Sequence, residues 1–260
     1  TEIQVNIDAT AMYQASNGAT YIQRILTDEM NRYLQRSDAR LRSPMGLVIR
    51  KAFNPNGDTS WFNGIVAIIN QITLLTVILT GAALIREREH GTLEHLMVMP
   101  LTAFEIAMAK VWANALVILS AALVSLFVVV IGALHVPIAG SIPLFVAGTT
   151  VYLFFATALG IFLGTVARTM AQFALLIILL IFTLQMLSGG STPVESQPEW
   201  LQWLTLTLPS RHFVAFAQAI IFRGAGFDIV WPQFAAVAGI GLAFFVYSIR
   251  RFRASIAESR

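Results

Sequence analysis

The chain has 260 residues, 57% of them hydrophobic and 12% charged, with a formal charge of +3. Soluble domains run about 45–50% apolar and about 25% charged, so this composition excludes an ordinary soluble domain and points to a membrane protein. The absence of cysteine excludes disulfides, thiolate metal sites and cysteine nucleophiles. Basic residues confined to helix ends and loops give no reason to expect a nucleic-acid partner.

Residues 1–60 read as a folded, water-soluble segment. In "IQVNID" the residues Ile3, Val5 and Ile7 alternate with polar ones, the pattern of a half-buried strand. From Met12 to Leu34, Ala15, Ala19, Ile22, Leu26 and Tyr33 fall at helical spacing. "GLVIRKAF" reads as a second strand, closed by the turn signal "NPNGD". The segment opens at Thr1 without a signal-peptide pattern. A soluble unit outside a membrane needs something to translocate it, so a signal or spanning helix is expected ahead of Thr1.

Five uncharged apolar stretches follow, near 62–85, 111–134, 142–166, 171–187 and 229–249. A spanning helix needs about 20 such residues. None of the five alternates with period two as barrel strands do, and helices satisfy their own backbone in lipid. Arg86, Arg88, Lys110, Arg168, Arg250, Arg251, Arg253 and Arg260 all fall on one side, which the positive-inside rule makes cytoplasmic. His135, Arg211 and Arg223 fall on the other, with Trp61, Trp200, Trp203 and Trp231 as an interfacial belt. This topology puts residues 1–60 outside and the C-terminus inside.

The loop 86–110 is more structured than a connector requires. Gly91 is expected to end the first spanning helix, Thr92 to cap a short one and Pro100 to end it. Leu93, Leu96 and Met97 then share one face, while Glu94 and His95 point elsewhere. "TAFE" reads as a capping box, Thr102 with Glu105, opening a helix that runs on into the second span. Two readings stand side by side. One is a solvated loop with an interfacial helix. The other is a knob that docks in the groove of a cytoplasmic partner, which a small Met-containing face suits. A metal site on His90, Glu94 and His95 is a weaker alternative, because H-x-x-x-E-H matches neither zinc-helix spacing.

No Asp, Glu, Lys or Arg lies deep in a span, which argues against an ion-coupled secondary carrier. A phosphate loop of the form G-x-x-x-x-G-K-[ST] is absent, and no catalytic constellation appears. These features point to a partner that supplies the energy; a self-contained carrier or channel is the competing class. Asn70, Gln71, Thr73, Asn114, Thr157 and Gln185 are candidates to line a substrate path, with interhelical hydrogen bonding as the plainer role. Thr76, Thr80, Ser120, Thr149, Thr150, Gln172 and Thr183 share that choice. "GIFLG", Gly160 to Gly164, permits close helix packing. The stretch 190–227 reads as outer re-entrant helices. "SQPE" is expected to be a second capping box, Ser196 with Glu199. Pro209 is expected to break the chain and Ser210 to cap a further helix to Phe222. Trp200, Trp203 and Phe213 are candidates for an outer gate, against simple lipid anchoring.

"REREHGTLEHLMVMPLTAFEIAMAKVW" resembles the intracellular loop of ABC-2 type permeases, the membrane subunits of ABC exporters. Glu87, Glu89, Gly91, Thr92, Glu94, Leu96, Pro100, Glu105 and Lys110 occupy that family's motif positions. Ser188 to Phe213 is similar to its outer segment, and residues 1–60 to the end of the large extracytoplasmic domain of one subgroup. The resemblance implies an all-α polytopic membrane protein, a helical bundle with six spans of which five are visible, plus a small α/β extracytoplasmic segment at the N-terminus. It divides the chain into 1–60 and a transmembrane domain at 61–260. It further implies a multi-pass protein of the bacterial inner membrane that is a permease subunit and not an enzyme, with ATP and Mg bound on a separate ABC ATPase subunit and no cofactor of its own. The Thr92–Met99 helix would be the coupling helix, with Glu89, Thr92, Leu93, Glu94, Leu96 and Met97 docking on the ATPase. A second permease subunit, alike or different, membrane lipid and a periplasmic adaptor protein complete the implied partners. The implied cargo is amphipathic or apolar, drug-like or lipid-like, and moves outward.

Overall fold

The computed structural model describes residues 2–8, 46–52, 59–90, 102–190, 192 and 194–258, together with Gly18 and the helical positions 21–22, 24–29 and 32. It divides into two units, 1–63 and 64–260.

In the first unit, β1 (Glu2–Asp8) and β2 (Gly46–Ala52) pair in parallel, in register from Glu2 opposite Gly46 to Asp8 opposite Ala52. Parallel neighbours need a crossover of a dozen or more residues, and the helical residues between 18 and 32 supply part of it. The expected β-α-β order is therefore present. The expected apolar stripe of this helix is only partly covered, since Ile22 is exposed and Leu26 half-buried. Glu29 and Arg32 form an exposed pair at 3.4 Å.

The second unit is a helical bundle. α1 (Thr59–Glu89) is 31 residues long, about 46 Å at 1.5 Å per residue. Ile65, Ile69, Ile72, Thr73, Thr76, Val77, Thr80 and Leu84 recur at three- and four-residue spacing, and all are buried. Arg86 and Arg88 in its last turn complement the negative end of the helix dipole. α2 (Ala103–Ser125) runs into a π-helical segment, Leu126–Ala133. The sequence "LFVVVIGA" explains why a plain helix, expected through 134, gives way. Its three adjacent valines and an isoleucine lower α-helix propensity, and the bonds there run i→i+5, as in Leu134 N–H to Val129 O at 2.8 Å.

α3 (Ile142–Val166) is the centre of the bundle, with Tyr152, Leu153, Ala156 and Ala158 fully buried. α4 (Met170–Leu187) buries only Phe173, Ile177, Ile181 and Leu184 and leaves Leu175, Ile178, Leu179 and Phe182 exposed. A helix apolar on every face with one buried stripe is built to meet lipid on the rest. Then come α5 (Glu199–Thr205), α6 (Pro209–Arg223) and α7 (Phe227–Glu258). Five of these seven helices, α1 to α4 and α7, are long and apolar enough to cross a membrane. The protein is an all-α polytopic membrane protein, with the strand pair confined to the N-terminal unit.

The α1–α3 crossing depends on glycine. A Cβ on Gly160 would lie 2.7 Å from Thr80 Cβ and 3.0 Å from Val77 O. One on Gly164 would lie 3.0 Å from Gly81 O. With no hydrophobic drive between helices in lipid, such close approach supplies the packing energy.

Two expected helix caps are corrected. Pro198, not Ser196, is the N-cap of α5 and makes no side-chain cap bond; Ser196 belongs to a 3-10 turn, Val194–Ser196. Pro209 does not break the chain. It opens α6 as the first helical residue, with Leu208 as N-cap and Ser210 inside the helix. A proline needs no amide partner there and already has helical φ.

Candidate functional site

The end of the bundle that carries the 86–110 loop is braced on both sides. Thr102 accepts the Glu105 amide at 3.2 Å, while the Glu105 carboxylate accepts the Thr102 amide at 2.6 Å and its hydroxyl at 2.8 Å. The expected capping box is thus present. Lys110 Nζ donates to Glu87 Oε1 at 2.6 Å, in a pair largely shielded from solvent. The Arg88 guanidinium donates to the carbonyl of Ala167, the C-cap residue of α3, where a cation satisfies a helix-end carbonyl. Behind these braces Leu84, Ala107, Val111, Ala158, Ile161, Phe245 and Ile249 form one apolar cluster that knits α1, α2, α3 and α7. Glu89 and His90 are exposed where α1 ends. Thr92, Leu93, Glu94, His95, Leu96 and Met97 lie outside the described residues.

Deeper in the bundle, α1 presents a polar seam. Thr73, Thr76 and Thr80 donate to the carbonyls of Ile69, Ile72 and Thr76 at 3.1, 2.6 and 2.8 Å. Thr80 Oγ1 also accepts the Asn114 amide of α2. Thr73 Oγ1 lies 2.9 Å from the hydroxyl of Tyr152 in α3. Since the Thr73 proton goes to Ile69, Tyr152 is the donor. Thr157 is fully buried and its hydroxyl has no hydrogen-bond partner among the described residues. Thr149 and Thr150 on the same helix instead bond Phe145 O and Val146 O at 2.8 Å.

The expected lining residues do not form one path. Thr73 and Asn114 belong to the seam and Thr157 is buried in α3, while Asn70 is half-buried. Gln71 edges a groove of about 320 Å³ between α1 and α2, shared with Ser125. Gln185 edges another of about 430 Å³ between α1 and α4. Both grooves are otherwise lined almost wholly by aliphatic and Phe side chains.

At the opposite end, Trp200 and Trp203 on α5 are 68% and 74% exposed, whereas Phe213 on α6 is fully buried. The two tryptophans thus face outward while Phe213 belongs to the core. Phe213 stacks on Tyr152, centroids 4.1 Å apart and planes at 20°. From that pair, ring contacts run through Phe216 and Phe234 to Phe227 in one direction. In the other they run through Phe155, Phe244 and Phe162 to Tyr247. Arg211 donates to Gln202 O and Thr205 Oγ1, each at 2.6 Å, closing the last turn of α5 onto α6. Burial lowers the pKa of Arg211 and the charge of Glu195 opposes that; a guanidinium nonetheless keeps its proton in a protein.

Reading the sequence missed Tyr152, the Lys110–Glu87 pair and the Arg88 and Arg211 braces. A tyrosine inside a span was the available signal, because a buried phenol asks for a partner.

A family profile described as "ABC-2 family transporter protein" matches residues 1–250. The chain is 55% identical over 255 residues to an Escherichia coli K12 protein named inner membrane transport permease YhhJ, covering 98% of this chain and 68% of that one. It is 32% identical over 230 residues to another from the same strain, named probable multidrug ABC transporter permease YbhR, covering 88% and 61% respectively. ABC transporter G family member 20 of Dictyostelium discoideum is 26% identical over 188 residues, covering 71% and 25%.

Proposed function

Because the chain belongs to the ABC-2 family of transporter proteins, we propose that it is the membrane part of an ATP-driven exporter. ATP is bound with Mg, and hydrolysed, on a separate ABC ATPase subunit, which docks on the loop between α1 and α2. The observation that carries this reading is the bracing of that loop. The capping box, the Lys110–Glu87 pair and the Arg88–Ala167 bond fix both of its ends to the bundle. A docking element can push on spanning helices only if its ends are rigid. Leu93 and Leu96 are the proposed anchors, with Thr92 and Met97 beside them and Glu89 and Glu94 at the rim.

The cargo is proposed to be amphipathic or apolar, drug-like or lipid-like, moving outward. The aliphatic grooves beside α1 suit such molecules, and one relative's name carries the word multidrug. The proposed setting is the bacterial inner membrane. Arg86, Lys110 and the C-terminus face the cytoplasm there, and the N-terminal unit faces the periplasm. A second permease subunit and a periplasmic adaptor are part of the same proposal.

The test is recovery of the ATPase chain with Leu96→Asp in detergent. Truncating an interface anchor costs about 1–4 kcal/mol, so the variant should insert normally but recover little ATPase, and Glu94→Gln should lose only part. Full recovery with Leu96→Asp would return the loop to a solvated connector.

A further inference from the structure

We infer that Tyr152 is a positioning residue that couples α1 to the outer helix α6, so that movement begun at the 86–110 loop reaches the opposite end of the bundle. The inference rests on the permease reading above. Three observations carry it. Tyr152 is fully buried and makes two different contacts with two different helices. Its hydroxyl donates to Thr73 of α1 at 2.9 Å, and its ring stacks on Phe213 of α6 at 4.1 Å. Second, Thr73 lies on the same unbroken helix as Arg86, about 20 Å along the axis at 1.5 Å per residue. α1 therefore carries a displacement at the loop to Thr73 as a rigid rod. Third, α6 has little freedom to ignore α3. A Cβ on Gly148, one turn before Tyr152, would lie 2.5 Å from the Phe216 ring.

The hydrogen bond is the separable element of this linkage. Thr73 keeps its own bond to Ile69 O, so removing the Tyr152 hydroxyl leaves no buried donor or acceptor stranded on α1. The ring, and with it the stack on Phe213, is retained in Tyr152→Phe. That variant cuts the link between α1 and α3 and leaves the packing in place. Physical adjacency alone does not establish coupling, so the test measures motion.

The chain contains no cysteine, so a nitroxide can be placed by a single substitution, at the exposed Arg86 of α1 or at the exposed Ala215 of α6. Each labelled chain is reconstituted with its ATPase subunit, and the spectrum is recorded with and without ATP. Both labels should respond in the otherwise native chain. In Tyr152→Phe the response at Arg86→Cys should persist and the response at Ala215→Cys should be lost. Thr73→Ser, which keeps a hydroxyl at that position, should retain both. A response at Ala215→Cys that survives Tyr152→Phe would overturn the coupling while leaving the permease reading intact. A label at Arg86→Cys that never answers ATP would overturn the permease reading, and the coupling with it.

Discussion

Thr73 and Tyr152 share one hydrogen bond but do not depend on it equally. Thr73 has a second partner in Ile69 O, while the phenol has no other among the described residues. Removing the phenol should therefore cost little: interhelical bonds in membrane proteins average about 0.6 kcal/mol. Removing the threonine hydroxyl leaves a buried donor unpaired, at about 1–3 kcal/mol. Tyr152→Phe is expected to keep the apparent unfolding temperature in detergent close to native, and Thr73→Val to lower it by several degrees. Equal losses in the two would mean that Thr73 does not serve as the acceptor. At this scale the sequence was legible where the partner is near in the chain and opaque where it is far. The Thr102–Glu105 box spans three residues and is written in "TAFE". The Thr73–Tyr152 bond spans 79, and only the meeting of two spans creates it.

Helix existence was legible because hydropathy alone marks a stretch that can sit in lipid. What each helix touches was less so. "GIFLG" gave a generic permission for close packing, and the structure supplies its partners, Thr80, Val77 and Gly81. Gly160→Ala is expected to destabilise the bundle by about 1–3 kcal/mol, the usual cost of overpacking, since its methyl would press on the Val77 carbonyl. Gly239 on α7 has no atom within 4 Å of a Cβ. Gly239→Ala should be neutral or gain up to about 1 kcal/mol from helix propensity. Thermal unfolding of the two variants checks the contrast. Both misread caps lie near a proline: Pro209, with φ already fixed, sits in the first turn of α6, whereas Pro198 is itself the N-cap of α5, in non-helical backbone just before the helix.

For the molecule as a whole, charge asymmetry between loops gives an orientation that can be measured. With no native cysteine, a membrane-impermeant maleimide should label Trp203→Cys in intact cells and label Arg253→Cys only after the membrane is opened. The reverse pattern would invert the proposed topology. The five-span architecture was plain from composition, whereas the π-helical end of α2 and the Tyr152 junction were not. Neither follows from a repeat in polarity: one is a local change of helical bonding and the other a contact between distant spans. One consequence of the way aromatics are distributed is optical. Trp112, Trp200, Trp203 and Trp231 are exposed and Trp61 is half-buried, so none of the five tryptophans reports from the interior. The interior rings are all phenylalanine and tyrosine. Intrinsic emission excited at the red edge will therefore follow detergent, lipid and partner at the rim of the protein. It will stay nearly silent if the Tyr152 junction opens, and a denaturation curve drawn from it will date the loss of the boundary, not of the core.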